Sequence, residues 1–221
     1  MSDTSSRFGR RVRRQLSTAG VTWAIMAACI LVFLAQQATG GVDGELSLRL
    51  IFYPQLITVE PWTVVTSLFA HASLLHILFN MYSLYALGPS LEQALGHWRF
   101  AVLYFLSGIG GSVGVLLLDS GAVLGASGAI FGLLGAYFVI ERRMGGSMTQ
   151  LIVVIALNLG IGFVVPGIAW QAHVGGLLVG ALVAVIYLRP RTRTAPHLQA
   201  QLLWATAAGI LIIALVKIGL F

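Results

Sequence analysis

Four polar side chains in an otherwise apolar chain have the types and spacing that acyl transfer requires: Ser127, His173, His76 and Asn80. Ser127 stands in the run Gly125-Ala126-Ser127-Gly128-Ala129-Ile130-Phe131-Gly132. Serine among glycines is by itself a packing residue of apolar helices. Its company changes that reading. A serine hydroxyl becomes a strong nucleophile only when a base takes its proton, and His173, in Gln171-Ala172-His173-Val174-Gly175-Gly176, is a base of the right kind. The reaction also needs donors for a developing oxyanion. The backbone N–H of Ser127 at a helix start, the Asn80 amide and a His76 ring N–H can supply them. His76 and Asn80 are four apart and share a helix face. His71 is about 140° around an ideal helix from His76, so it is expected to cap the helix or pack locally. A carboxylate normally orients such a histidine, but none of the seven acidic residues falls well inside an apolar segment. The expectation is a Ser–His dyad, with Phe131, one turn after Ser127, stacked on the imidazole.

The elements that must position these groups are membrane helices. The 221 residues are 58% hydrophobic and 9% charged, against about a quarter charged in soluble domains. A helix crossing a bilayer needs about 20 mostly apolar residues. Such segments are read near 21–39, 74–90, 99–118, 126–141, 149–166, 170–188 and 200–220, the fourth short, glycine-rich and preceded by a loop that dips into the membrane. Cys29, the one cysteine, excludes an internal disulfide and reads as a packing residue. With the N-terminus inside, Arg7, Arg10, Arg11, Arg13, Arg14, Arg99, Arg142, Arg143, Arg189, Arg191 and Arg193 all fall inside, eleven of the 13 Lys and Arg. That is the positive-inside pattern, and it places the C-terminus outside. The basic start is read as a cytoplasmic flank. A transit peptide fits it only in part, and a nucleic-acid-binding arm has no aromatic or folded support.

In this topology spans two, four and six run the same way, so His76, Asn80, Ser127 and His173 are expected at similar depth below the outer surface. Gly125, Gly128, Gly132 and Gly135 form a stripe on span four with Ser127 at its edge, and His173, Gly176, Gly180 and Ala184 form one on span six. Small residues at that spacing let helices approach closely. Residues 41–70, with Trp62 and several apolar side chains, are expected to lie partly in the interface. Trp23, Trp98, Trp170 and Trp204 read as interface anchors, and His97 and His197 as solvated loop residues.

At these positions the chain resembles the rhomboid family of intramembrane serine proteases. The resemblance rests on His71…His76…Asn80, on Gly125-Ala-Ser127-Gly128 with Gly132, on Ala172-His173-Val174-Gly175-Gly176, and on Glu92…Gly96…Arg99-Phe100, and it covers about residues 20–190. It implies an all-α membrane protein with a six-helix rhomboid-like core at 21–190, after a basic segment at 1–20 and before a linker and seventh helix at 191–221. It implies Ser127 as nucleophile, His173 as general base, and His76, Asn80 and the Ser127 amide as oxyanion hole, supported by His71, Gly125, Gly128, Phe131, Gly132 and Gly176. Substrates would be single-pass or other membrane proteins, cut near the outer end of a helix within the lipid bilayer of the cell membrane, with no metal, organic cofactor or nucleic acid. Two positions depart from the family's common pattern: Phe131 stands where a tyrosine is frequent, and Trp62 is followed by Thr63 rather than arginine. The oligomeric state is not legible in the residues.

Three other readings compete with a protease. A metal site from His71, His76 and His173 lacks the carboxylate of the H-E-x-x-H pattern. A channel or transporter would show charged residues along a path or paired broken helices in two symmetric halves, and the sequence has neither. A catalytically silent rhomboid-like chaperone or sorting factor typically lacks the serine or the histidine, and both are present.

Overall fold

A helix occupies each of the seven apolar segments. The computed structural model describes residues 19–118, 121–165, 167–190 and 197–219. The five N-terminal arginines, Asp119, Arg191 and Arg193 lie outside the described residues. The elements are α1 (Gly20–Ala38), α2 (Glu45–Leu50), α3 (Thr63–Thr66), α4 (Leu74–Leu95), α5 (His97–Leu117), α6 (Ser127–Met144), α7 (Thr149–Val164), α8 (Trp170–Tyr187) and α9 (Leu198–Lys217). No strand occurs among the described residues, and one isolated bridge pairs Phe52 with Val123. Among the described residues α1, α5, α8 and α9 are long and apolar enough to cross a membrane. At about 1.5 Å per residue, the 16 residues of α7 fall short of a hydrocarbon layer of about 30 Å. Helix α4 carries His76, Asn80 and Glu92, and α6 ends in Glu141-Arg142-Arg143, which lowers the hydropathy of both. The chain is an all-α membrane protein.

The centre is a three-helix unit of α5, α6 and α8, whose mutual contacts are the most extensive in the molecule. Glycine makes this possible. A Cβ built on Gly176 would lie 1.9 Å from the Gly128 carbonyl oxygen, and one on Gly180 would lie 2.1 Å from that of Gly132. These pairs run in the same order along both helices, so α6 and α8 are parallel and start at the same end. Helix α5 is antiparallel to both. A Cβ on its Gly114 would lie 2.5 Å from the Gln171 oxygen, and one on Gly110 would lie 2.5 Å from Val179. The α6 and α8 stripes thus do what their spacing predicts, and α5 adds a third glycine surface that its sequence also carries at Gly110, Gly111 and Gly114.

Helix α4 packs against α1, α5 and α6. Its last turns hold Glu92, which is fully buried and accepts from Val21 N (2.8 Å), Thr22 N (2.7 Å) and Thr22 Oγ1 (2.6 Å). These are N–H groups of the first turn of α1, which lack carbonyls within their own helix, and an anion is favoured there by the helix dipole. His97 Nδ1 closes on the same carboxylate. His97 is therefore not a merely solvated residue, as the sequence suggests. It is half-exposed on one side and paired with a buried acid on the other.

The connection from α1 to α4 has structure of its own. Gln36, fully buried, donates to Ser47 Oγ (2.8 Å) and accepts from His71 N (3.0 Å). Trp62 Nε1 donates to the Arg49 carbonyl (3.3 Å), Thr63 Oγ1 to that of Glu60 (2.6 Å), and Thr66 Oγ1 to that of Leu50 (3.2 Å). Leu48, Leu56, Val59 and Trp62 are exposed, as an interfacial segment requires. Cys29 is fully buried, with Sγ 3.9 Å from the Leu68 carbonyl oxygen. Of the four anchor tryptophans, Trp98 and Trp204 are exposed, while Trp23 packs on Tyr85 and Trp170 on Phe163.

Candidate active site

Helices α4, α6 and α8 begin at one end of the bundle, and their first turns converge. Ser127 is the first residue of α6. The loop before it is held by protein: Phe52 and Val123 exchange backbone hydrogen bonds (3.0 and 2.9 Å), and Gly125 N donates to the Ser67 carbonyl (2.8 Å). Gly125 and Ala126 are buried, which satisfies the requirement that irregular backbone at membrane depth be enclosed.

Ser127 Oγ lies 3.1 Å from His173 Nε2, in the first turn of α8. The distance follows from the seam. Because Gly128 and Gly176 carry no side chains, the backbones of α6 and α8 come close one residue beyond Ser127 and three beyond His173, and the two side chains meet across the gap. Ser127 is half-buried and His173 only 7% exposed. The imidazole is stacked on Phe131 with ring centres 4.1 Å apart and planes 9° apart. No carboxylate lies behind it: His173 Nδ1 is buried with no hydrogen-bond partner among the described residues. Ring stacking and helix packing hold the histidine. The hydroxyl that a tyrosine would add at Phe131 is not required for the stack.

On the facing side, α4 brings His76 and Asn80. Ser73 caps the helix, its Oγ accepting from His76 N (3.2 Å). His76 Nδ1 accepts from Ala72 N at 3.4 Å, which leaves the ring proton on Nε2. A Cβ on Gly125 would lie 2.6 Å from His76 Nε2. Gly125 also has φ +115°, so both its backbone conformation and the approach of the imidazole call for glycine. The Asn80 amide donates one hydrogen to the His76 carbonyl (2.8 Å), and its second N–H is uncommitted by that bond. Asn80 Oδ1 is buried without a hydrogen-bond partner among the described residues.

His71 is fully buried. Its ring Nδ1 lies 3.1 Å from the Phe69 carbonyl, and its ring meets that of His76 edge-on at 5.1 Å. It packs locally, and Ser73 is the cap. Gly132 receives the side chain of fully buried Ser107, whose Cβ and Oγ would both lie 2.1 Å from an added Cβ. Ser127, His173, His76, Asn80 and the supporting residues His71, Gly125, Gly128, Phe131, Gly132 and Gly176 thus form one cluster at one end of the bundle. Sequence reasoning missed Gln36, which holds the backbone of His71 from α1. Its only signal is a glutamine near the end of an apolar run.

The arrangement provides a hydroxyl beside an imidazole, with N–H donors on a helix start and on the facing helix. That is the equipment of nucleophilic acyl transfer.

A family model described as the Rhomboid domain matches residues 58–190. The chain is 40% identical over 143 residues to RHOMBOID-like protein 5 of Arabidopsis thaliana, covering 60% of this chain and 46% of that one. It is 32% identical over 205 residues to the Rhomboid protease GluP of Bacillus subtilis (86% and 39% covered). It is 29% identical over 187 residues to the Rhomboid protease GlpG of Salmonella newport (79% and 66%). The chain spans less than half the length of the curated relatives it matches most strongly. With a family model covering more than half of its residues and named proteases among its relatives, this chain belongs to the rhomboid family.

Proposed function

We propose that this chain is an intramembrane serine endopeptidase with a Ser127–His173 dyad. The observation that carries the reading is the 3.1 Å contact between Ser127 Oγ and His173 Nε2, set inside a membrane bundle. Ser127 Oγ attacks the carbonyl carbon of the scissile bond while its proton passes to His173 Nε2. The tetrahedral oxyanion is held by the Ser127 N–H, His76 Nε2–H and the free amide hydrogen of Asn80. The C–N bond then breaks as His173 returns the proton to the leaving amine. Water, deprotonated by His173, cleaves the acyl-enzyme and restores Ser127. No step calls for a metal or an organic cofactor.

The substrates in this reading are single-pass or other membrane proteins whose helices reach the site from the lipid bilayer. Helix α7 is the natural side of access. It buries only Gly162, and its contacts with α6 and α8 are few. The domain plan is a basic segment at 1–20, a six-span catalytic core at 21–190 and a linker with a seventh span at 191–221. The chain sits in the cell membrane with the N-terminus cytoplasmic and the C-terminus outside. Arg99 at the start of α5, Arg142 and Arg143 at the end of α6 and Arg189 just after α8 support that orientation, since all lie at the end opposite Ser127.

The test is cleavage of a generic single-span substrate with a small residue near its outer end, in liposomes. Wild type should cleave, and Ser127→Ala and His173→Ala should not. Cleavage by Ser127→Ala at the wild-type rate would overturn the assignment.

A further inference from the structure

Helix α9 lies outside the glycine-packed unit, yet it touches the frame of the site. Among its helical residues only Gln199 and Ala214 are buried. They are 15 residues apart, about 22 Å along a helix, and they sit at opposite ends of the bundle. At the basic end, Gln199 Oε1 accepts from Arg99 Nη2 (2.7 Å), and its Nε2 donates to the carbonyls of Arg189 (2.6 Å) and Tyr187 (3.3 Å). The Arg99 guanidinium lies over the Tyr187 ring, 5.0 Å from its centre, and Tyr187 OH donates back to the Arg99 carbonyl (3.1 Å). One side chain thus ties α9 to the start of α5 and the end of α8, which fixes its register.

At the other end, Ala214 belongs to an apolar cluster with Phe52, Val113, Leu116 and Ala172, flanked by Val123, Ile210 and Ile218. This cluster reaches both halves of the site. Ala172 immediately precedes His173, and its carbonyl oxygen would lie 2.9 Å from a Cβ on Gly111. Phe52 and Val123 form the bridge that holds the loop four residues before Ser127. The contacts that Ala214, Ile210 and Ile218 make with this cluster are apolar, so α9 acts on it through packing.

We propose that α9 positions the Ser127–His173 pair: Gln199 fixes the register of the helix, and Ala214 completes the apolar cluster that seats Ala172 and the Phe52–Val123 bridge. Ala214 is a positioning residue, and this inference rests on the protease reading. A larger side chain there pushes against α5 and α8, and the close-packed interior transmits the shift.

The experiment uses the full chain in detergent and a small fluorophosphonate that reacts with an activated serine and needs no passage for a substrate helix. Labelling is followed to saturation, so that the number of reactive sites and the rate per site are read separately. A fall in folded protein lowers the first, and misplacement of the pair lowers the second. Ala214→Leu should slow the rate per site about tenfold, since a displacement of about 1 Å can cost about 100-fold. Gln199→Ala should slow it by less. Ile212→Ala, on the exposed face of the same helix, should stay near wild type. Should Ala214→Leu fail to fold, Gln199→Ala still decides. Wild-type rates per site in the folded variants would overturn the inference while leaving the protease reading standing. Absence of Ser127-dependent labelling in the wild type would overturn both.

Discussion

Helices α6 and α7 are neighbours in sequence, separated by four residues, and are held in opposite ways. Helix α6 is buried along nine consecutive residues from Gly128 to Ala136, and a Cβ on its Gly135 would lie 2.3 Å from the Leu177 oxygen of α8. Helix α7 buries one residue, Gly162, and exposes Ile152, Val153, Val154, Leu157, Ile161, Phe163 and Val164. Its one polar residue within the apolar stretch, Asn158, is exposed and bonds back to the Val154 carbonyl (2.8 Å). The proposed protease activity gives the contrast a chemical reason. Proton transfer between Ser127 and His173 would tolerate little misplacement, and the helices that carry them are locked by close backbone contact. A substrate helix arriving from the lipid would need a lightly held neighbour to pass, and α7 is such a neighbour.

The seam between α6 and α8 is the most sensitive place in the molecule. Gly176→Ala puts a methyl group 1.9 Å from the Gly128 oxygen, and α6 and α8 must separate. We expect a loss of activity of about 100-fold, with about 1–3 kcal/mol of destabilisation, read as cleavage rate and thermal midpoint. Asn80→Ala should cost about 2.7–4 kcal/mol of transition-state stabilisation, read in kcat, with the labelled serine count unchanged. Removing a different lock, Glu92→Gln weakens the hold on the start of α1. It should cost about 1.5–3 kcal/mol of stability while leaving the labelling rate per site unchanged, because Glu92 is 12 residues along α4 from Asn80, about 18 Å. The smallest effects belong to α7. Gly160 has nothing within 4 Å of an added Cβ, so Gly160→Ala should stay within about 0.5 kcal/mol of wild type. Phe163→Ala, which removes the contact with Trp170 at 4.6 Å, should change kcat/KM for a helical substrate but not the labelling rate with a small probe. A Gly160→Ala effect as large as that of Gly176→Ala would remove the distinction.

What the sequence made legible was local or periodic. The seven helices follow from runs of apolar residues, and their ends fall within a few residues of the expected ones. The meeting of Ser127 and His173 follows from two glycine stripes at helical spacing, and the Phe131 stack from its place one turn after the serine. The polar locks were not legible, because their partners are distant in the chain. Glu92 bonds to Thr22 across 70 positions and Gln36 to His71 across 35. Glu92 stands out in the sequence only through the Glu92…Gly96…Arg99-Phe100 resemblance, and nothing there shows that its buried carboxylate caps the start of α1. The same blindness made His97 look solvated. The α5 glycines were visible in the sequence, but they acquire meaning only once α8 is known to run antiparallel beside them.

The proposed dyad makes Ser127 an activated nucleophile and His173 the group that activates it. It is tested most directly by treating the purified protein with a fluorophosphonate and locating the covalent adduct by mass spectrometry of its peptides. We expect a single adduct on Ser127 in the wild type and none in His173→Ala. An adduct on Ser127 that forms equally fast in His173→Ala would contradict the dyad, and a wild type that carries its adduct on another residue would contradict the nucleophile.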